Sequence, residues 1–243
     1  MIDSLSVFFP SFNEEKNIAV TVEKAKKVLE NLKIKKWEIL IIDDGSKDKT
    51  GEIADQLAKK DKQSLKFSPG SNYKNIRVIH KTNGGYGTAL RAGFSNAKYD
   101  WIVYTDADGQ FDFSEVTKFL AKTDEADVIY AYKNKRSDHF IRTLTAKGWA
   151  FSLFLFFGLN IKDVDTGFKM VNRKVLEKIP ALESSRGGMI NAELVIKAKK
   201  YGFRITQVEI NHYPRLFGNP TGVKLNVILQ SYLDLLNLWW KLK

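Results

Sequence analysis

Two aspartates one residue apart, Asp106 and Asp108, follow the apolar run at residues 101–104. Alternate residues of an extended strand point to the same face, so both carboxylates could converge on one cation. The amide oxygen of Gln110 would complete an oxygen-rich site of the kind that binds Mg²⁺ or Mn²⁺ together with phosphate oxygens. The alternative interpretation is that these residues only form the turn that ends a strand, because Asp and Gly favour turns.

The composition is typical of a globular protein and limits the available chemistry. With 243 residues, 44% of them hydrophobic, the chain can form one large α/β domain or two small ones. The absence of cysteine excludes disulfides, thiolate metal sites and a thiol nucleophile, and it fits a cytosolic protein. The formal charge of +11 favours an anionic partner such as nucleic acid, acidic lipid or a phosphorylated substrate, although it could also serve solubility alone.

Strand and helix patterns alternate along the first half of the chain. The patterns predict strands over residues 5–9, 37–42, 76–80, 101–105 and 127–131, separated by helices over 14–32, 50–60, 88–97 and 112–122. This alternation indicates a Rossmann-like, mostly parallel sheet with helices on both faces. Such sheets bind ligands at the carboxyl ends of their strands. Polar or glycine-rich sequence follows four of these predicted strands, at residues 10–15, 43–46, 83–87 and 106–110.

The second half of the chain has a different character. It contains a predicted aromatic-rich helix over 140–157, a charged motif at 163–169, a short helix and strand over 191–210, and an amphipathic helix from 223. No internal repeat or flexible linker is recognisable. We therefore predict a catalytic domain over 1–222 followed by a C-terminal amphipathic helix over 223–243. Residues 1–12 carry no recognisable secretory signal, and no apolar stretch reaches the roughly 18–20 residues that span a bilayer.

Five motifs occur in order along the chain, at residues 9–15, 41–46, 83–89, 106–110 and 163–169. Taken together, they resemble the family 2 glycosyltransferases of the GT-A fold. The resemblance is to polyprenol-phosphate sugar transferases of the dolichyl-phosphate mannose synthase type, and it covers roughly residues 5–215. Phe12 stands where the family often has tyrosine, and Thr166 where it often has cysteine. Neither departure removes an ionisable group that the chemistry needs.

The resemblance implies a nucleotide-sugar site built around the paired aspartates. It implies that Asp106, Asp108 and Gln110 hold Mg²⁺ or Mn²⁺ against the donor diphosphate, where a cation stabilises the charge that builds up on the leaving group. It also implies contacts to the nucleotide sugar from Pro10, Phe12, Glu14, Asp43, Ala107, Arg136 and Arg215. The alternative for the two acids is structural, since Glu14 would suit a helix N-terminus and Asp43 would suit a turn.

The acceptor side is implied by a second group of residues. The resemblance places Arg142 and Lys169 near phosphates, although each could equally be an ordinary cation. A phosphate monoester has a second pKa of about 6 and is ionised at neutral pH, so it can attack without a protein base. Asp163 or Asp165 is therefore expected to orient the acceptor or to balance Lys169. The implied reaction is a single displacement with inversion.

The sequence thus predicts transfer of a hexose from a nucleotide sugar to a polyprenyl or dolichyl phosphate. GDP-mannose is the first expected donor and UDP-glucose the second. We expect a peripheral protein on the cytoplasmic membrane face, with room for a membrane-embedded partner protein. The apolar segment 149–159 and the C-terminal helix could contact the bilayer, with Trp239 and Trp240 at headgroup depth, or could instead pack on the core.

Three other functions remain to be weighed. Transfer to a saccharide or other hydroxyl acceptor would require a base such as Asp163 or Asp165. A basic nucleic-acid-binding module would interleave aromatic residues with cations on an exposed surface, whereas most aromatic residues here fall in apolar segments. We therefore expect no nucleic-acid partner. A dehydrogenase is disfavoured because the glycine pattern at residues 85–87 lacks its third glycine.

Overall fold

A computed structural model describes residues 2–65, 76–133, 140–185, 187–215, 217 and 225–243. The strands are β1 Ser4–Ser11, β2 Lys36–Asp43, β3 Ile76–His80, β4 Trp101–Thr105, β5 Val128–Lys133, β6 Phe168–Asn172 and β7 Ile205–Ile210. The helices are α1 Ile18–Asn31, α2 Thr50–Leu65, α3 Tyr86–Asn96, α4 Val116–Leu120, α5 Phe140–Phe157, α6 Arg173–Lys178, α7 Gly187–Lys200 and α8 Leu225–Lys241. A 3-10 turn, Phe113–Glu115, precedes α4.

The strands form one mostly parallel sheet in the order β3-β2-β1-β4-β6-β5-β7. The pairs β1–β2, β2–β3, β1–β4 and β5–β7 are parallel, whereas β6 runs antiparallel to both β4 and β5. This arrangement confirms the predicted α/β class and the mostly parallel sheet. The carboxyl ends of β1, β2 and β4 therefore meet at one edge of the sheet.

Strand β6 was missed by the sequence prediction, which treated residues 163–169 only as a charged motif. The strand is short, and Lys169 interrupts its apolar pattern although the lysine is fully buried. Lys169 pairs in register with Tyr104, and Phe168 with Thr105. As a result, the loop before β6 lies beside the end of β4, where the backbone N–H of Asp106 donates to the carbonyl of Gly167 at 3.1 Å.

Helices cover both faces of the sheet, as predicted. On one face Val7 and Phe9 of β1 pack in a core with residues of α1 and α4. On the other face Phe8 packs with residues of α3 and α7. Gly93 in α3 permits this close approach, because a Cβ there would overlap the ring of Phe8.

A third apolar cluster joins α5, α7 and α8. Trp149 and Leu153 of α5 are buried in it with Leu235 and Leu238 of α8. The C-terminal helix therefore packs on the protein through one of its faces. The predicted boundary between residues 222 and 223 lies outside the described residues. Within the described part of the chain, no helix is both long enough and apolar enough to cross a membrane.

Candidate active site

A cavity of about 560 Å³ opens at the sheet edge where β1 and β4 end. It lies between the segment after β1, the turn before α3 and the segment after β4. Among the residues predicted from the sequence, its wall includes Pro10, Phe12, Glu14, Asp106, Ala107, Asp108 and Arg215. The fold thus gathers most of the predicted nucleotide-sugar residues around one space, although they come from distant parts of the chain.

The paired aspartates lie in a turn at the end of β4. The strand ends at Thr105, and Gly109 has a φ of 74°, in the left-handed region that favours glycine. The Asp108 carboxylate accepts from the backbone N–H of Gln110 at 3.0 Å, as aspartates in turns often do. The chain is therefore not extended here, and the turn of the alternative interpretation is present. Both carboxylates nevertheless reach the cavity.

The Asp106 carboxylate is enclosed and lies close to the charge of Asp108. Its Oδ1 accepts from the hydroxyl of Tyr86 at 2.7 Å. Burial, followed by the charge of Asp108, raises the pKa of Asp106 to about 7. On its other side lies Gly167, where any Cβ would overlap the carboxylate. Two carboxylates held this close favour the binding of a cation, which would offset their repulsion.

The Asp108 carboxylate is paired with a cation from the far end of the chain. Arg215 donates through Nη2 to Asp108 Oδ2 at 2.6 Å, and its Nη1 lies 3.5 Å from Glu14 Oε1. Burial raises the pKa of Glu14 above its ordinary value, although a hydrogen bond from Asn17 and the charge of Arg215 oppose this shift. Arg215 therefore bridges Glu14, which was predicted to contact the nucleotide sugar, and Asp108, which was predicted to hold the cation.

Residues 211–215, which we call the strap, bring Arg215 to this position. Asn211 donates to the Glu115 carboxylate from its backbone N–H at 2.9 Å and from Nδ2 at 2.8 Å. The Tyr213 N–H donates to the Gln110 carbonyl at 2.9 Å, and Gln110 Nε2 donates to the Tyr213 carbonyl at 3.2 Å. Unlike Asp106 and Asp108, Gln110 is not part of the cavity wall. Its amide nitrogen is used in the hydrogen bond to Tyr213, so its amide oxygen is the atom left to bind a cation.

Lys169 lies behind the paired aspartates rather than on the cavity wall. Its side chain is fully buried, and Nζ donates to the carbonyl of Thr166. Burial lowers the pKa of Lys169 to about 8, although the charges of Asp165, Asp163 and Asp106 favour its protonated form. Its position is that of a counter-charge for these acids. Contact of Lys169 with a phosphate is therefore not supported by its location, because Nζ faces the interior.

Asp43 does not line the cavity either. Its carboxylate accepts from the Ser46 N–H at 3.0 Å and lies 2.9 Å from His80 Nδ1. Burial raises the pKa of Asp43, but the hydrogen bonds from Ser46 and His80 outweigh this effect, so the net pKa is lowered. The local structure matches the alternative in which Asp43 caps a turn. The adjacent Asp44 lines the cavity instead.

The remaining predicted residues are only partly described. Arg136 lies outside the described residues, and Arg142 is described only as part of the backbone of α5. Asp163 is buried near Lys169. Tyr86 is a site residue that the sequence prediction missed. The sequence feature that could have indicated Tyr86 is its position directly after Gly84 and Gly85. This position is the start of α3, which follows β3 at the same edge of the sheet.

The available donors fit a hard divalent cation. Asp106, Asp108 and the amide oxygen of Gln110 are the oxygen ligands that Mg²⁺ and Mn²⁺ accept. In the described ranges, no three His, Cys, Asp or Glu side chains are grouped closely enough to hold a metal by themselves. A cation bound here would therefore take further oxygens from water or from the phosphates of a ligand, as Mg²⁺ commonly does.

Comparison with known proteins decides the family. Residues 6–180 match the family described as glycosyl transferase family 2. The chain belongs to this family. It is 30% identical to the dolichyl-phosphate beta-glucosyltransferase of Saccharomyces cerevisiae, an alignment that covers 85% of the chain and 66% of the relative. It is 26% identical to the undecaprenyl-phosphate 4-deoxy-4-formamido-L-arabinose transferase of Salmonella choleraesuis, covering 99% of the chain and 67% of that relative.

A comparison with solved structures confirms the GT-A fold. A glucosyl-3-phosphoglycerate synthase from Mycobacterium tuberculosis, solved with Mn²⁺, UDP and glucosyl-3-phosphoglycerate, superposes with a TM-score of 0.73. The alignment covers 98% of this chain and 80% of that one at 18% identity. At this identity the likeness concerns the fold alone. The present chain spans about two thirds of the length of the two curated relatives.

Proposed function

We propose that this glycosyltransferase transfers a hexose, with inversion, from a nucleotide-diphosphate sugar to a polyprenyl or dolichyl phosphate. Both curated relatives are named as transferases that act on a polyprenol phosphate, which supports this acceptor. The sugar expected first from the sequence, mannose, gains no support from these relatives. The yeast relative is named as a glucosyltransferase, so UDP-glucose becomes the first donor to test and GDP-mannose the second.

The observation that carries the proposal is the cavity in which two aspartates and an arginine face the same space. Asp106, Asp108 and Arg215 all line it, so it offers sites for a cation and for anionic oxygens side by side. Phe12 is 42% exposed at the wall of this cavity and presents an aromatic ring on which a nucleobase could stack. A nucleoside diphosphate matches this combination of groups.

Asp106, Asp108 and the Gln110 amide oxygen would hold Mg²⁺ or Mn²⁺. Bound there, the cation would stabilise the negative charge that develops on the departing diphosphate. Arg215 would add a second positive charge to the same leaving group, because a guanidinium binds phosphate oxygens through parallel N–H donors. The buried Lys169 would offset part of the negative charge of these acids from the interior of the protein.

The acceptor phosphate needs no protein base, because it is already ionised at neutral pH. Asp163 is buried close to Lys169, which suits the expected role of balancing this cation. If the acceptor were instead a hydroxyl group, one carboxylate would have to accept its proton. Loss of sugar transfer on removal of the Asp163 or Asp165 carboxylate would therefore favour a hydroxyl acceptor. Transfer to a phosphate acceptor should not need either carboxylate as a base.

We also propose that the protein binds the cytoplasmic face of a membrane through α5 and α8. Among the residues of these helices whose side chains the structure describes, 148–157 and 230–241, six large apolar side chains are exposed. We call them the apolar patch: Phe151, Phe154, Leu155, Leu233, Leu236 and Trp240. The two helices contact each other, since the rings of Phe156 and Trp239 lie 5.6 Å apart. Lys241 and Lys243 lie at the end of α8 and could reach lipid phosphates, although Lys241 would first have to leave its exposed ion pair with Glu183, at 2.6 Å.

The test is sugar transfer to a short polyprenyl phosphate by the purified chain. Radiolabelled UDP-glucose and GDP-mannose are supplied separately, with Mn²⁺ or with EDTA. We expect label in the lipid phase from UDP-glucose, dependent on Mn²⁺ and lost in Asp108→Ala. The matched control is Asp124→Ala, an exposed aspartate between α4 and β5. Failure to label the lipid from either donor, by protein that binds UDP, would refute transfer of glucose or mannose to a polyprenyl phosphate.

A further inference from the structure

The first turn of α3 holds a tyrosine hydroxyl against one of the paired aspartates. Tyr86 OH donates to Asp106 Oδ1 at 2.7 Å, and both residues line the cavity. We propose that Tyr86 is a positioning residue that fixes the Asp106 carboxylate in the orientation that binds the divalent cation. The inference rests on the proposed function, because it concerns the cation site of that reaction.

The turn that carries Tyr86 is anchored independently of Asp106. The carboxylate of Asp44 accepts from the backbone N–H groups of Gly84, at 3.1 Å, and Gly85, at 2.9 Å. Gly85 has a φ of 86°, which glycine adopts without strain. One residue after the tyrosine, the Gly87 N–H donates to the Ser185 carbonyl at 2.9 Å. The backbone on both sides of Tyr86 is therefore held by contacts that do not involve Asp106.

Asp106 is restricted from the opposite side as well. Its backbone N–H donates to the carbonyl of Gly167 at 3.1 Å, and a side chain at Gly167 would overlap its carboxylate. The carboxylate thus lies between the Tyr86 hydroxyl and a glycine backbone. Hydrogen bonds of this kind orient carboxylates that bind metals, and their loss typically weakens metal affinity by roughly 10–100-fold.

A purely structural role for Tyr86 is the competing explanation. Its ring packs against the core that includes Phe8, Ala89 and Leu90. The variant Tyr86→Phe keeps this ring and removes only the hydroxyl. The matched control is Tyr130→Phe, which removes the hydroxyl of a buried tyrosine in β5 that belongs to the separate cluster of α5, α7 and α8.

The experiment measures Mn²⁺ affinity of the full chain in the presence of UDP, by the electron paramagnetic resonance signal of free Mn²⁺. We expect Tyr86→Phe to bind Mn²⁺ about ten-fold more weakly than wild type, and Tyr130→Phe to bind it unchanged. Thermal melting with EDTA reports any loss of stability. Wild-type affinity in Tyr86→Phe would overturn the inference.

A double-mutant cycle with Asp106→Asn separates positioning from packing. If the hydroxyl acts through the Asp106 carboxylate, Tyr86→Phe should weaken Mn²⁺ binding far less in the Asp106→Asn protein than in wild type. Equal losses in both backgrounds would overturn the positioning role, whether or not the variants are less stable. If the wild-type protein bound no Mn²⁺ in the presence of UDP, the proposed cation site itself would be refuted. If it bound Mn²⁺ but labelled no lipid, only the proposed transfer to the lipid would be refuted.

Discussion

Arg215 and Asp108 are joined by a hydrogen-bonded ion pair at the cavity wall, with Nη2 of the arginine 2.6 Å from Oδ2 of the aspartate. The pair connects the strap to the turn after β4, 107 residues apart in sequence. The guanidinium thus neutralises a carboxylate that is expected to bind a cation. The same guanidinium is well suited to the phosphates of a donor. Arg215 therefore has two competing partners within one site.

We predict that Arg215→Gln has opposite effects on cation and nucleotide binding. Without nucleotide, Mn²⁺ should bind several-fold more tightly, because Asp108 no longer shares its oxygen with a guanidinium. Affinity for UDP in the presence of Mn²⁺ should fall, by about ten-fold, because a charge-assisted hydrogen bond to phosphate is lost. Isothermal titration calorimetry of both ligands measures the two effects.

The control for this prediction is Arg204→Gln. Arg204 also pairs with an aspartate, Asp127, but at the opposite end of the sheet near the start of β7. Neither ligand should respond to its loss. If Arg215→Gln weakened Mn²⁺ binding in the absence of nucleotide, Arg215 would support the cation site rather than compete with it.

Asp106 gives a prediction about stability and pH. Its pKa of about 7 in the fold exceeds the ordinary value of 3.8, so the folded state retains a proton that the unfolded chain has lost. Its contribution to the free energy of unfolding therefore decreases as pH rises from about 4 through about 7. Asp106→Asn removes this loss. In EDTA its melting temperature should exceed that of wild type by at least about 2 °C at pH 8, and by less at pH 5.

Differential scanning calorimetry at the two pH values provides the measurement. Asp124→Asn, at an exposed aspartate, serves as the control and should differ from wild type equally at both pH values. A stability difference for Asp106→Asn that did not grow with pH would mean that the folded state does not disfavour the Asp106 anion.

Gly167 tests how closely the loop before β6 must approach the paired aspartates. In Gly167→Ala the new Cβ would overlap the carboxylate of Asp106, so one of them must move. A displacement of about 1 Å at a reacting centre costs roughly 100-fold in rate, so we expect a comparable loss of sugar transfer. Gly148→Ala in α5 is the control, because its Cβ would meet only the hydroxyl of Tyr232, at 3.3 Å. Equal activity of both variants would contradict the tight packing at Asp106.

The sequence was sufficient to predict the strands that carry the site and seven of the fourteen residues around the cavity. Their signals are local, since a short apolar run marks each strand, and Asp106 marks the end of β4, although β1 continues through Pro10 to Ser11. Strand β6 was missed because its pairing with β4 and β5 is non-local and because Lys169 breaks its apolar pattern. No local signal indicates that such a lysine becomes fully buried.

Contacts between distant segments were equally beyond the sequence patterns. The spacing of residues 43–46 does not reveal that Asp43 turns to His80 while Asp44 faces the cavity. The pairing of Arg215 with Asp108 depends on the strap, whose hydrogen bonds to Gln110 and Glu115 form only once the sheet is assembled. Side-chain partners of this kind follow from the tertiary fold.

The apolar patch predicts binding to anionic vesicles. Leu233 is 53% exposed and Trp240 is 73% exposed on α8, while Leu235 between them is fully buried against the protein. The double variant Leu233→Ser/Trp240→Ser removes apolar surface that would enter the interface, at about 1.5–3 kcal/mol for each fully buried side chain. Its partitioning into phosphatidylglycerol-containing vesicles, measured by co-sedimentation, should fall by about ten-fold or more. Val20→Ser, at a residue of α1 that is 56% exposed, should partition like wild type. If the double variant still bound as wild type and only high salt released it, lysine charges rather than this patch would account for membrane binding.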